Sequence, residues 1–197
     1  MIVTKIKRVA VFCSSSETRP EYKKLARKLG TRLALEGFDL VFGGGDQGLM
    51  GIVADAVSSH GGKVIGITTE HLSGKENKEA HHITEISPNM HVRKQRMFEE
   101  ADAIVNIAGG FGTMDEMFEA MTLRQIGEMN KPIFFLDISN SFFIEGLKGL
   151  MKTMVHAGTI QREDLKAIKM TSSIPTLLKY LHKDRELIYI SRYTKEV

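Results

Sequence analysis

Ala103-Ile104-Val105-Asn106-Ile107-Ala108-Gly109-Gly110-Phe111-Gly112-Thr113-Met114-Asp115-Glu116 passes from an apolar run, through glycines, into a segment with helical spacing. Ala103 to Ile107 shows no polar–apolar alternation, so it reads as a strand covered on both faces. Glycines then free the backbone to turn sharply. From Thr113 to about Gly127 the apolar residues recur at the spacing of a helix. A strand that leaves through a glycine turn into a helix is the repeating unit of α/β proteins.

The same unit recurs outward along the chain. Strands are predicted at Val9 to Phe12, Leu40 to Phe42, Val64 to Ile67, Pro132 to Leu136 and near Ile168 to Met170. Helices are predicted from Pro20 to near Gly37, Leu49 to Val57, Asn89 to Ala101, Phe142 to Val155 and Ile174 to Leu181. Residues 69 to 88 are polar and read as an active-site loop with a short strand at Ile83 to Ile86. The alternation predicts one α/β domain over residues 1–197, a doubly wound parallel sheet in a three-layer α/β/α arrangement.

Composition agrees with a folded, soluble chain. Its 197 residues are 42% hydrophobic and 26% charged, and the formal net charge is +3. The basic residues are dispersed, so no nucleic-acid-binding stripe is expected. The apolar run Val9 to Cys13 ends in serines, which argues against a signal peptide or membrane span, and a cytoplasmic location is expected. The single Cys13 has no partner for an internal disulfide and reads as packing. His81 and His82 are adjacent on an expected strand and point to opposite faces, and no paired ligand motif occurs, so no metal site is expected.

In a doubly wound sheet the ligand crevice lies at the carboxyl ends of the strands where the strand order reverses. That rule sets Ser14-Ser15-Ser16 beside Gly109 to Thr113, flanked by Gly43-Gly44-Gly45. Gly43 to Gly48 has the spacing of the dinucleotide fingerprint, with Glu70 after the next strand, but it follows the second predicted strand rather than the first. Each glycine turn is either a tight turn needing positive φ or an anion cradle of converging N–H groups at a helix start. Two such turns in one small domain favour the cradle.

Two charged groups stand in unusual places. Thr113-Met114-Asp115-Glu116 fits a capping box, with Glu116 folding back onto the helix start; alternatively Glu116 faces a ligand. Met90, Arg93, Lys94 and Met97 form one helical stripe, so inward-facing methionines bring Arg93 and Lys94 inward with them. A half-buried cation needs an anion, which a substrate phosphate or Glu116 would supply. The alternative is that both cations snorkel to solvent.

Taken together, Gly43-Gly44-Gly45 through Gly51, Met90-His91-Val92-Arg93-Lys94 and Gly109-Gly110-Phe111-Gly112-Thr113 to Glu116 resemble the Lonely Guy family. Members of this family are cytokinin riboside 5′-monophosphate phosphoribohydrolases, long labelled lysine decarboxylases. The likeness spans roughly residues 8 to 137 and extends to Val11-Phe12-Cys13-Ser14. It implies a Rossmann-like fold, a homodimer with active sites near the interface, a small-molecule nucleotide substrate such as a cytokinin riboside monophosphate or AMP, and no cofactor. By resemblance, Arg93 and Glu116 are catalytic. Arg93 also binds substrate, with Lys94, Gly109, Gly110, Phe111, Gly112, Thr113, Met114, Asp115, Thr122 and Glu70; the turns themselves add Gly44, Gly45 and Ser14 as expected substrate contacts. The family's proline before the double glycine is Ala108 here, and its common tyrosine is Phe111.

Three functions compete on these residues. One is hydrolysis of the N-glycosidic bond of a nucleoside 5′-monophosphate. A second is a non-catalytic nucleotide or cofactor carrier using the same cradle. A third is a nicotinamide-dependent oxidoreductase built on Gly43 to Gly48. A pyridoxal-dependent decarboxylase is disfavoured, since no lysine has a recognisable Schiff-base setting.

Overall fold

The computed structural model describes residues 6–73, 82–138 and 141–183. The strands are β1 (Arg8–Phe12), β2 (Asp39–Phe42), β3 (Val64–Thr69), β4 (Ile83–Ser87), β5 (Ala103–Asn106), β6 (Ile133–Leu136) and β7 (Ile168–Thr171). Between and after them run the helices α1 (Pro20–Leu35), α2 (Gly48–Ser58), α3 (Glu70–Ser73), α4 (Met90–Glu100), α5 (Phe111–Ile126), α6 (Phe142–His156) and α7 (Ile174–Lys183). A 3₁₀ turn (Arg162–Ala167) precedes β7.

All six pairings are parallel, in the order β4-β3-β2-β1-β5-β6-β7. The order runs outward from β1 to β4 on one side and from β5 to β7 on the other, so β1 and β5 meet at the reversal. The predicted doubly wound α/β fold is the one observed.

The strands read as unbroken apolar runs because two cores sandwich the sheet. Val9 and Val11 of β1 enter one core, and Ala10 and Phe12 enter the other. On β6, Phe134 and Leu136 face the first core while Ile133 and Phe135 face the second. Side chains alternate across a strand, so a strand between two helical layers needs apolar residues at every position. The first core is closed by Leu29 and Leu33 of α1, Leu49 and Val53 of α2, and Leu177 of α7. The second is closed by Met97 of α4, Met117 and Ala120 of α5, and Leu147 and Met151 of α6. Phe12, Phe42, Phe134 and Phe135 are almost wholly buried. Truncating any one to alanine should cost about 3–5 kcal/mol.

After β3 the structure differs from the expected loop. The polar stretch after β3 begins with the short helix α3, and β4 runs to Ser87. The remainder of the expected loop, residues 74–81 including His81, lies outside the described residues. His82 places Nε2 3.4 Å from Asp55 Oδ1. No group of His, Cys, Asp or Glu among the described residues is arranged to hold a metal. None of their helices is long and apolar enough to cross a membrane.

Candidate active site at the β1–β5 switch point

α4 begins with Asn89, whose side chain accepts hydrogen bonds from the N–H groups of His91 and Val92, both at 3.0 Å. That cap satisfies two of the helix's orphan donors and fixes where it starts. Arg93, Lys94, Met97 and Phe98 then face inward and are all buried. Met90 does not: it is 41% exposed and belongs to neither core. The inward stripe therefore starts at Arg93, one turn later than the methionine spacing implied.

The Arg93 guanidinium is held on three sides. Nε donates to Ile67 O at 2.9 Å, Nη2 to Gly43 O at 3.2 Å and Nη1 to Glu116 Oε1 at 3.1 Å. Two backbone carbonyls at the carboxyl ends of β3 and β2 thus aim the arginine at the start of α5. Gly43 makes this possible. A Cβ at residue 43 would overlap Nη2 and come within 3.3 Å of Cζ. Ligand contact is expected of Gly44 and Gly45, whereas Gly43 is the space for the arginine, a role its spacing does not mark. Gly44 takes φ +83°, the left-handed conformation that the turn requires, and Gly44 and Gly45 are both buried.

α5 starts at Phe111, with Gly110 at the N-cap position and no side-chain cap. Thr113 is thus within the first turn rather than capping it, and the formal capping box does not form. Glu116 turns to Arg93 instead, because a buried carboxylate gains more from a cation than from one amide. Thr113 is buried, and a Cβ at residue 109 would run into its side chain, so Gly109 lets strand and helix pack closely. Around Gly110 and Gly112 an added Cβ would meet open space, and Phe111 is 96% exposed. The first-turn amides of α5 consequently face an open, uncapped approach, the usual setting for an anion.

Burial raises the pKa of Glu116, and Arg93 opposes that shift by its charge and its hydrogen bond. Burial likewise drives the Cys13 thiol far up, and the Glu116 charge adds to it, which places the carboxylate near the end of β1. Lys94 forms a second clasp. Its Nζ lies 2.9 Å from Asp115 Oδ2 and 2.5 Å from Glu119 Oε2. Burial works against the charge on Lys94, but Glu119 and Asp115 outweigh it and raise its pKa. Glu119 was not anticipated, although it lies one turn beyond Asp115 on the same helix face.

The other expected residues are placed as follows. Met114 packs on the second core and donates its N–H to Gly110 O at 3.0 Å. Thr122 is exposed on the face of α5 that carries Asp115 and Glu119, and its hydroxyl donates to Phe118 O at 2.8 Å. Glu70 is exposed at the start of α3, three residues beyond Ile67. Ser14 donates its N–H to Ala108 O at 3.2 Å, stitching the first turn to the glycine turn, and its Oγ accepts from Ser16 N–H at 3.0 Å. Beside this stitch opens a cleft of about 600 Å³ lined by Ser14, Glu17, Thr18, Arg19, Tyr22, Ala108 and Gly109.

Fold and site together define a doubly wound α/β protein with an anion-ready glycine turn and a buried Arg–Glu pair at its switch point. The model of the family described as "Possible lysine decarboxylase" matches residues 50–181. The chain is 34% identical to the cytokinin riboside 5′-monophosphate phosphoribohydrolase LOG1 of Arabidopsis thaliana, over 98% of this chain and 89% of that protein. It is 40% identical to the probable cytokinin riboside 5′-monophosphate phosphoribohydrolase LOGL9 of Oryza sativa subsp. japonica, over 71% of this chain and 62% of that one. The chain belongs to the Lonely Guy (LOG) family. Among solved structures, the molybdenum cofactor binding protein of Rippkaea orientalis superposes with a TM-score of 0.65, covering 90% of this chain and 96% of its own, at 22% identity. That likeness is one of fold.

Proposed function

We propose that this chain hydrolyses the N-glycosidic bond of a nucleoside 5′-monophosphate, a cytokinin riboside monophosphate or AMP, releasing free base and ribose 5-phosphate. The observation that carries the reading is the buried 3.1 Å pair of Arg93 and Glu116 beside the open first turn of α5. The named activity of the relatives supports it.

In this reaction the bond from C1′ to the base nitrogen breaks, and its electron pair leaves with the base. Water gives its hydroxyl to C1′ and its proton ends on the base. The transition state is cationic at the ribose, so a carboxylate beside C1′ stabilises it and orients the water. Glu116 supplies that carboxylate, and the charge and hydrogen bond of Arg93 oppose the burial that raises its pKa. The 5′-phosphate sits on the amides of α5, which hold the sugar in place without reorganising. Gly109, Gly110, Gly112 and Thr113 shape that seat, and Lys94 holds Asp115 against α4. A homodimer with the site near its interface, and a cytoplasmic setting, belong to the same reading.

The test is the release of ribose 5-phosphate by purified protein from AMP, its N6-substituted analogues and the other common monophosphates. Release from at least one of them is expected. Tight binding of every candidate without release would favour the carrier reading.

A further inference from the structure

We propose that Arg19, in the turn that leads into α1, is a substrate-binding residue that grips the 5′-phosphate beside Gly109. This rests on the nucleotide-site reading above, but it concerns binding and holds for a hydrolase or a carrier alike.

A phosphate monoester brings about −1.5 to −2 charges at neutral pH. Both cations that the motifs bring to the site are already committed: Arg93 to Glu116, and Lys94 to Asp115 and Glu119. The helix start supplies amides but only a partial charge. A dianion there still needs a full positive charge.

Arg19 lines the same cleft as Gly109 and Ser14. No carboxylate among the described residues pairs with it. It is nonetheless held in place. Its guanidinium carbon lies 5.2 Å from the centre of the Tyr22 ring, and Nη2 is 3.5 Å from Tyr22 Oη. Tyr22 is buried, so the platform is rigid. An aromatic face orients a guanidinium without neutralising it, and with Nη2 turned to Tyr22 the Nε and Nη1 donors are left for two phosphate oxygens.

Two further features of the cleft agree. Thr18 Oγ1 is buried without a hydrogen-bond partner, a hydroxyl ready to donate. Glu17, the lone carboxylate among the lining residues, is engaged by Lys23 and so does not repel an anion unopposed. Arg19 lies outside the stretch that the family model matches and outside the glycine, Arg–Lys and Glu motifs.

Calorimetric titration with ribose 5-phosphate and, separately, with ribose tests the proposal on wild type, Arg19→Ala and Arg19→Lys. Arg19→Ala should weaken ribose 5-phosphate roughly 10- to 100-fold, the range for losing a hydrogen-bonded charge, and leave ribose unchanged. Arg19→Lys, which keeps charge but not the fork, should fall between. Unchanged ribose 5-phosphate affinity in Arg19→Ala would overturn the proposal, as would an equal loss for both sugars. Failure of wild type to release ribose 5-phosphate from any nucleotide would sink the hydrolase reading and leave this one standing.

Discussion

Gly43→Ala tests how the arginine is aimed. Gly43 does not take a positive φ, so alanine meets no backbone strain there and the penalty is steric. Its Cβ would overlap Arg93 Nη2, and Met50 Sδ, 3.4 Å away, leaves it little room to turn aside. The guanidinium must therefore retreat by roughly 1 Å, a misplacement that typically lowers turnover about 10²-fold. The retreat also breaks the 3.2 Å bond to Gly43 O. A hydrogen bond to a charged group contributes about 1.5–3 kcal/mol. For a chain of this size that corresponds to a melting temperature lower by about 3–12 °C. Ribose 5-phosphate release, measured on folded protein well below the transition, should show kcat down by about two orders of magnitude. A Gly43→Ala protein that melts lower yet keeps wild-type kcat would refute the claim that arginine position matters to chemistry.

Other outcomes follow from the same geometry. Burial raises the Glu116 pKa, so as pH falls the carboxylate is lost at a higher pH than an exposed glutamate would be; the acid limb of kcat against pH should lie above the ordinary carboxylate range of about 4–5. An acid limb within that range would contradict the burial argument. Cys13, buried with its thiol pKa pushed far up, should resist alkylating reagents in the native protein and react only on unfolding, which mass spectrometry reads directly. Gly146 is exposed in α6 with open space around an added Cβ, so Gly146→Ala should stabilise the protein by about 0.5–1 kcal/mol in urea melts and leave turnover alone.

The strands were legible because two apolar layers force unbroken apolar runs, and the switch point followed from the order of strands and helices. The approach of Arg93 to Glu116 was legible in part, since a cation inside a buried stripe demands an anion. Three details were not. Thr113 to Glu116 matches a capping box locally, and only the arrival of Arg93 from 23 residues earlier decides the competition for the carboxylate. Gly43 looks like its two neighbours until α4 is laid across it. The cleft at Arg19 and Tyr22 carries no spacing that marks it, because a ring platform for a guanidinium forms from residues that elsewhere only start a helix.

The most direct test of the account is turnover by Glu116→Gln, which keeps the side chain's shape and an oxygen for Arg93 Nη1 but removes the charge. On whichever monophosphate wild type hydrolyses fastest, kcat should fall by at least about 100-fold, with ribose 5-phosphate still bound. Wild-type kcat in a folded Glu116→Gln protein would contradict it.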